Sequence, residues 1–306
     1  MPSTEKPMAA SPGAGSSDPS RVGLRPAAGI GRLPARRVRP GTVVVGALLA
    51  VGAFATAFPF GWMVFASVKP RSESVAYPPQ LLPQQPTLEY FAQLFTELDF
   101  GRYLLNTLAL VLICMVGLLL MAAAGYGFAK FTFRGREVLF FLVLVTMMIP
   151  GQVTMVPSFL IINGMKLTNT LIGIALPMLV SGFSVFLFRQ FMSTIPTEVI
   201  EAARIDGASE LRIFLRIVLP MSGPILAVQV VLTFITGWNA FLWPLIIAND
   251  QRLYTLSVGL SLLNQQIATN PSLQMAASTL MVVPILLVFV FFQRYIVQGF
   301  ALSGLK

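Results

Sequence analysis

Apolar residues run through this chain in long blocks, and charge closes each block at both ends. No Asp, Glu, Lys or Arg falls between Arg39 and Lys69, Arg102 and Lys130, Glu137 and Lys166, Lys166 and Arg189, Arg216 and Asp250, or Arg252 and Arg294. Each gap holds an apolar stretch near the ~20 residues that cross a bilayer as a helix. The pattern predicts six helices, at roughly 43–66, 104–128, 138–160, 171–190, 221–248 and 276–296. Two shorter stretches have an amphipathic period. Leu88, Phe91, Leu94 or Phe95, and Leu98 alternate with Glu89, Gln93 and Glu97. Leu256, Leu260, Leu263 and Ile267 lie opposite Asn264 and Gln266. Both read as helices at the outer interface or as contacts for an extracytoplasmic partner.

Composition agrees with the blocks. Only 11% of the 306 residues are charged and 56% are hydrophobic, with a mean hydropathy of +0.78. Soluble domains carry about 25% charged residues, so the chain reads as an all-α integral membrane protein. Lysine and arginine set its expected orientation. One side collects Arg21, Arg25, Arg32, Arg36, Arg37, Arg39, Lys130, Arg134, Arg136, Arg189, Arg204, Arg212, Arg216, Arg294 and Lys306; the other holds only Lys69, Arg71, Arg102, Lys166 and Arg252. The positive-inside rule then puts both termini in the cytoplasm. The net charge of +9 is accounted for by topology and an anionic lipid surface, and nothing points to nucleic acid. Residues 1–40, rich in Pro, Gly, Ser and Arg, are expected to be a disordered basic tail. Residues 41–297 form the expected membrane domain, and 298–306 a cytoplasmic tail.

Several chemistries are excluded. The chain has no histidine and one cysteine, Cys114, set mid-span among apolar neighbours, so no disulfide, metal site or catalytic centre is expected, and no cofactor. No phosphate-binding Gly-x-x-x-x-Gly-Lys-Ser/Thr loop occurs. The predicted spans carry no interior Lys, Arg, Asp or Glu, so an autonomous proton-coupled sugar carrier would lack the titratable group such carriers use. A membrane scaffold that recruits a cytosolic protein is a third class. Polar residues do mark two spans. Pro150, Gly151, Gln152 and Thr154 interrupt the third, where freed backbone groups need a protein interior or a wet cavity. Gln229, Thr233, Thr236 and Asn239 share one face of the fifth, a stripe that either joins helices or lines a pathway.

The most charged stretch between two blocks is the inner loop 196–220. Pro196 opens a short helix that places Val199, Ala202, Ala203 and Asp206 on one stripe and Glu198, Glu201 and Ile205 on another. Gly207 breaks it, and Ser209 caps a second helix with an apolar stripe of Leu211, Phe214, Leu215 and Val218, ended by Leu219-Pro220. The spacing Glu201-Ala202-Ala203, three residues, Gly207, nine residues, Ile217-Val218-Leu219-Pro220 resembles the signature loop of permease subunits of binding-protein-dependent ABC importers. The stretches 150–154, 238–245 and 293–300 resemble the carbohydrate branch of that family, in which Ala240 stands where many relatives carry an acidic residue. The resemblance covers about 43–306. It implies an ABC type I importer permease fold, with six transmembrane helices and a cytoplasmic coupling-helix loop. Glu198, Glu201, Ala202, Ala203, Asp206, Gly207, Ile217, Leu219 and Pro220 would couple to an ABC ATPase subunit dimer. A second six-span permease subunit would complete the pore, and an extracytoplasmic sugar-binding protein would deliver the solute. Gln152, Thr154, Gln229, Thr233 and Asn239 are the expected pathway residues.

Overall fold

The computed structural model describes residues 40–266 and 270–303, and every regular element among them is helical. The expected tail 1–40 therefore lies outside the described residues but for Pro40, as do Ile267 and the last three residues. The chain divides into two units, 1–53 and 54–306. Of the first, only the start of helix α1 (Pro40–Ser67) is described. The second holds α2 (Glu89–Thr96), α3 (Phe100–Lys130), α4 (Arg136–Met148), α5 (Gly151–Gly164), α6 (Leu171–Ala175), α7 (Gly182–Ser193), α8 (Thr197–Ile205), α9 (Glu210–Ile213), α10 (Gly223–Trp238), α11 (Leu242–Ile247), α12 (Leu256–Gln266) and α13 (Pro271–Ser303).

Among the described residues, Gly41–Ser67, Phe100–Lys130 and Pro271–Arg294 are each long and apolar enough to cross a membrane unaided. Three further pairs reach that length only together, across sharp bends. The expected straight third helix is instead two, α4 and α5, set 106° apart at Ile149-Pro150. Proline disfavours an α conformation in the residue before it, and Ile149 is extended at φ −90°, ψ 119°. The fourth expected span is bent by 46° between Leu171–Met178 and α7. There Ser181 takes an extended conformation and its hydroxyl accepts from the Ser184 amide. The fifth ends at Trp238, with Asn239–Phe241 separating α10 from α11.

Helix α3 organises the interior. Its side chains enter all three buried apolar clusters: Leu118, Met121 and Tyr126 in one, Phe100, Tyr103 and Val111 in the next, Leu110 and Cys114 in the third. The close neighbour of α3 is α7. A Cβ on Gly125 would lie 2.4 Å from the Phe188 Cβ, and one on Gly117 would lie 2.3 Å from the Leu179 carbonyl oxygen. Eight residues apart, the two glycines share a face, and their missing side chains bring the backbones together. Helix packing in lipid depends on such close approach because lipid tails are as apolar as leucine. Both amphipathic stretches are helical, but the first differs from the expected stripe, since Leu88 precedes the helix and is exposed while Tyr90 turns inward. Tyr90 and Leu94 of α2 and Leu256 of α12 are buried in the cluster around Trp238.

Candidate functional site

The loop between α7 and α10 folds as a two-helix elbow, and its corner is fixed by the backbone. Pro196 precedes α8 instead of lying within its first turn. At the other end Gly207 takes φ +79°. The Gly207 amide donates to the Arg204 carbonyl and the Ala208 amide to the Ala203 carbonyl, both at 3.0 Å. These two bonds satisfy carbonyls that a helix end otherwise leaves open, and they require the left-handed residue that glycine supplies without a steric penalty. Ser209 occupies the cap position of α9, but its side chain accepts no capping bond.

Side chains brace the same corner. Arg204 Nε donates to Glu210 Oε1 at 2.6 Å across the turn, and the Tyr126 hydroxyl of α3 donates to Glu210 Oε2 at 3.3 Å. Tyr126 stacks on Phe214 at 5.6 Å and meets Phe131 edge-on at 5.3 Å. The Arg204 guanidinium lies 5.8 Å from the Phe131 ring centroid, and Lys130 Nζ donates to the Ile195 carbonyl just before α8. Its hydrogen bond from Arg204 holds the Glu210 carboxyl below the usual carboxylate range. Sequence reasoning missed Glu210, Arg204 as its partner, and Tyr126; opposite charges flanking a glycine turn were the one available signal.

The elbow's faces differ from the expected stripes. Ile200 and Ala203 point inward, with Ile213, Phe214 and Val218. Glu198, Glu201, Ala202 and Asp206 are exposed, and so are four large apolar side chains: Ile205 (86%), Leu211 (67%), Leu215 and Val199. The expected stripe of Leu211, Phe214, Leu215 and Val218 is thus divided between two faces. The division is already present before the π turn at Phe214–Val218 begins, because Ile213 and not Leu211 packs inward and the buried face is centred on Ile213, Phe214 and Val218. The same turn accommodates Pro220, which cannot donate a ladder bond, so helix continues to Met221 and does not end at Leu219-Pro220. Ile217 and Leu219 are half-buried, and Pro220 is exposed.

A second feature is a cavity of about 210 Å³ between α3, the bend before α7, and α10. Gln229, Thr233 and Thr236 of α10 face Ser181 and Ser184 across it, and the apolar Cys114, Met121, Met178, Phe183 and Leu232 with Gly237 complete the wall. Gln229 is 1% exposed. Its Oε1 accepts from the Ser184 hydroxyl at 2.9 Å, while Nε2 has no partner. Of the expected pathway residues, Gln229 and Thr233 meet here. Gln152, Thr154 and Asn239 do not line this cavity. Gln152 and Thr154 lie exposed in the first turn of α5, where the Thr154 hydroxyl donates to the Gly151 carbonyl, and Asn239 ends α10. Ser181 and Ser184 were not foreseen, because small hydroxyls in an apolar block carry no periodic signal.

Comparison with known proteins places this architecture. The chain is 36% identical over 267 residues to the arabinooligosaccharides transport system permease protein AraQ of Halalkalibacterium halodurans, covering 85% of this chain and 96% of that one. It is 39% identical over 203 residues to the sn-glycerol-3-phosphate transport system permease protein UgpE of Pectobacterium atrosepticum, covering 65% and 72%. A bacterial ABC transporter involved in import of the acidic polysaccharide alginate shares the fold, with a TM-score of 0.74 over 87% of this chain and 99% of that chain at 23% identity. A family profile described as binding-protein-dependent transport system inner membrane component matches residues 121–301, a segment holding both the elbow and most of the cavity wall. With that match spanning more than half its length, this chain belongs to the family of inner membrane components of binding-protein-dependent transport systems.

Proposed function

We propose that this chain is the membrane-spanning subunit of an ATP-driven ABC importer that moves a sugar or oligosaccharide by alternating access. One observation carries the reading. The elbow holds a braced, glycine-capped shape while turning carboxylates and large apolar groups outward, and Ile205 and Leu211 stand largely uncovered among the described residues. Such a mixed exposed patch suits a partner protein. An ATPase subunit dimer is that partner. Glu198, Glu201, Ala202 and Asp206 meet it directly, Gly207 sets the corner, and Ala203, Ile217, Leu219 and Pro220 transmit its movement into α10. This orientation puts the elbow and both termini in the cytoplasm. A second six-span permease subunit and an extracytoplasmic sugar-binding protein complete the machine.

The subunit performs no covalent chemistry. ATP-driven closure of the partner dimer moves the elbow as a lever, and rigid bundles rock to change the side on which the pathway opens. Purification in mild detergent tests the assembly. An ATP-hydrolysing subunit and a second permease are expected to accompany the wild-type chain. Glu201→Lys, which places a cation against donors paired with the carboxylate, is expected to lose the ATPase while remaining in the membrane. Recovery of a lone chain that transports would overturn the reading.

A further inference from the structure

The cavity beside α10 contains an unsatisfied buried amide in an uncharged wall. Gln229 is almost wholly buried, and its carbonyl is committed to Ser184, yet its Nε2 donors meet no acceptor. Leaving a buried donor unmade costs its full desolvation energy, and an incoming acceptor recovers that cost. Around it stand the hydroxyls of Thr233, Thr236, Ser181 and Ser184, together with the Phe183 ring. Hydroxyls both donate and accept, and the aromatic face offers an apolar contact for C–H groups. That combination matches a polyhydroxylated ring. The volume of about 210 Å³ equals roughly seven waters at ~30 Å³ each, which is room for one such ring.

The wall also discriminates. An anion leaving water needs a cation or several oriented donors to offset its lost hydration, and no lining residue of this cavity is charged. Relatives' names include both an uncharged oligosaccharide and a phosphate ester, so family membership leaves the charge of the solute open. We propose that this cavity is a subsite for a single uncharged sugar unit, with the Gln229 amide donating to one of its oxygens, and that it rejects anionic solutes. The inference rests on the importer reading and adds to it that this subunit touches the solute itself.

The chain's single cysteine, Cys114, is buried in the cavity wall, whereas Thr236 on the same wall is exposed, so Cys114→Ser with Thr236→Cys places a reporter thiol where a reagent reaches it. In membranes containing the full importer with that chain, alkylation of the Thr236→Cys thiol by N-ethylmaleimide is followed with L-arabinose or lactose, and with sn-glycerol 3-phosphate or glucuronate. The neutral sugars are expected to slow alkylation several-fold, the anions to leave it unchanged, and Gln229→Leu to remove the protection. Thr233→Val, close to isosteric, is expected to weaken protection and serves if Gln229→Leu does not accumulate. Protection by the anions, protection undiminished in both cavity variants, or no protection by a neutral sugar would overturn the subsite. ATPase co-purification from the same membranes reads the importer assignment separately, so a failed subsite and a failed importer are told apart.

Discussion

At Gly207 one dihedral angle decides the geometry of the elbow. At φ +79° any β-branched residue is strained, and the left-handed conformation costs roughly 1–2 kcal/mol for an L-residue. Gly207→Val is therefore expected to lower stability by about that amount and to reduce uptake more than it reduces the quantity of chain in the membrane. Transport assays normalised to membrane content check this. Glu210 adds a weaker brace. Its folded carboxyl is held below the usual range by Arg204, so its contribution is present above the unfolded value and is lost as pH falls through the folded one. With side chains 38% and 45% exposed, the bridge is screened by solvent and salt and its effect is small. In detergent, the melting temperature of the wild type is expected to drop slightly more on acidification than that of Glu210→Gln. Parallel curves would remove Glu210 from the brace. The glycine corner was legible from the sequence, since a helix-breaking residue between two polar helical stretches has few other uses. The brace was not, because Tyr126 lies 84 residues from Glu210.

Between elements, what the sequence disclosed depended on whether the feature was local. Helices α1, α3 and α13 are continuous apolar runs, and their existence follows from composition alone, although α13 continues to Ser303 and past the expected end near 296. Pro150 announced an interruption, but no local signal carries the size of the 106° bend that follows it. In the elbow, the stripe of apolar residues gave the wrong face because Ile213 packs inward where Leu211 was expected to, and with apolar residues on both arcs of the helix the pattern alone does not choose between them. The cavity was half visible. The α10 stripe marked Gln229 and Thr233, while Ser184 lies on α7, which is held against α3 by the close contact that Gly117 and Gly125 permit. That contact is testable. Gly125→Leu inserts a side chain whose Cβ would stand 2.4 Å from the Phe188 Cβ, and overpacking of this kind costs about 1–3 kcal/mol. Lower thermal stability in detergent is expected, with Gly127→Leu, where nothing lies within 4 Å, as the control that leaves it unchanged.

For the molecule as a whole, the placement of charge bears on where the driving force of the proposed importer enters. Along the helices that make up the crossings, Lys, Arg, Asp and Glu stay outside the apolar runs: Arg102 and Lys130 bound the run in α3, Arg136 and Glu137 precede that of α4, and Arg189 and Arg294 follow those of α7 and α13. The chain has no histidine anywhere. A carrier that couples solute to protons needs a group that gains and loses a proton at membrane depth, and the polar groups gathered around the cavity are amides and hydroxyls that do not titrate near neutral pH. On the proposed reading the elbow is the lever, and its exposed end, with Ile205 and Leu211 uncovered, is where the ATPase docks. Energy for accumulation accordingly enters, on that same reading, through the partner at that end. In proteoliposomes holding the complete importer with ATP enclosed, a protonophore is expected to leave sugar uptake unchanged, while omitting ATP reduces it to the background of protein-free vesicles. Uptake that persists without ATP and collapses with the proton gradient would place the driving force inside this bundle, and would require a proton-carrying residue that its crossings do not supply.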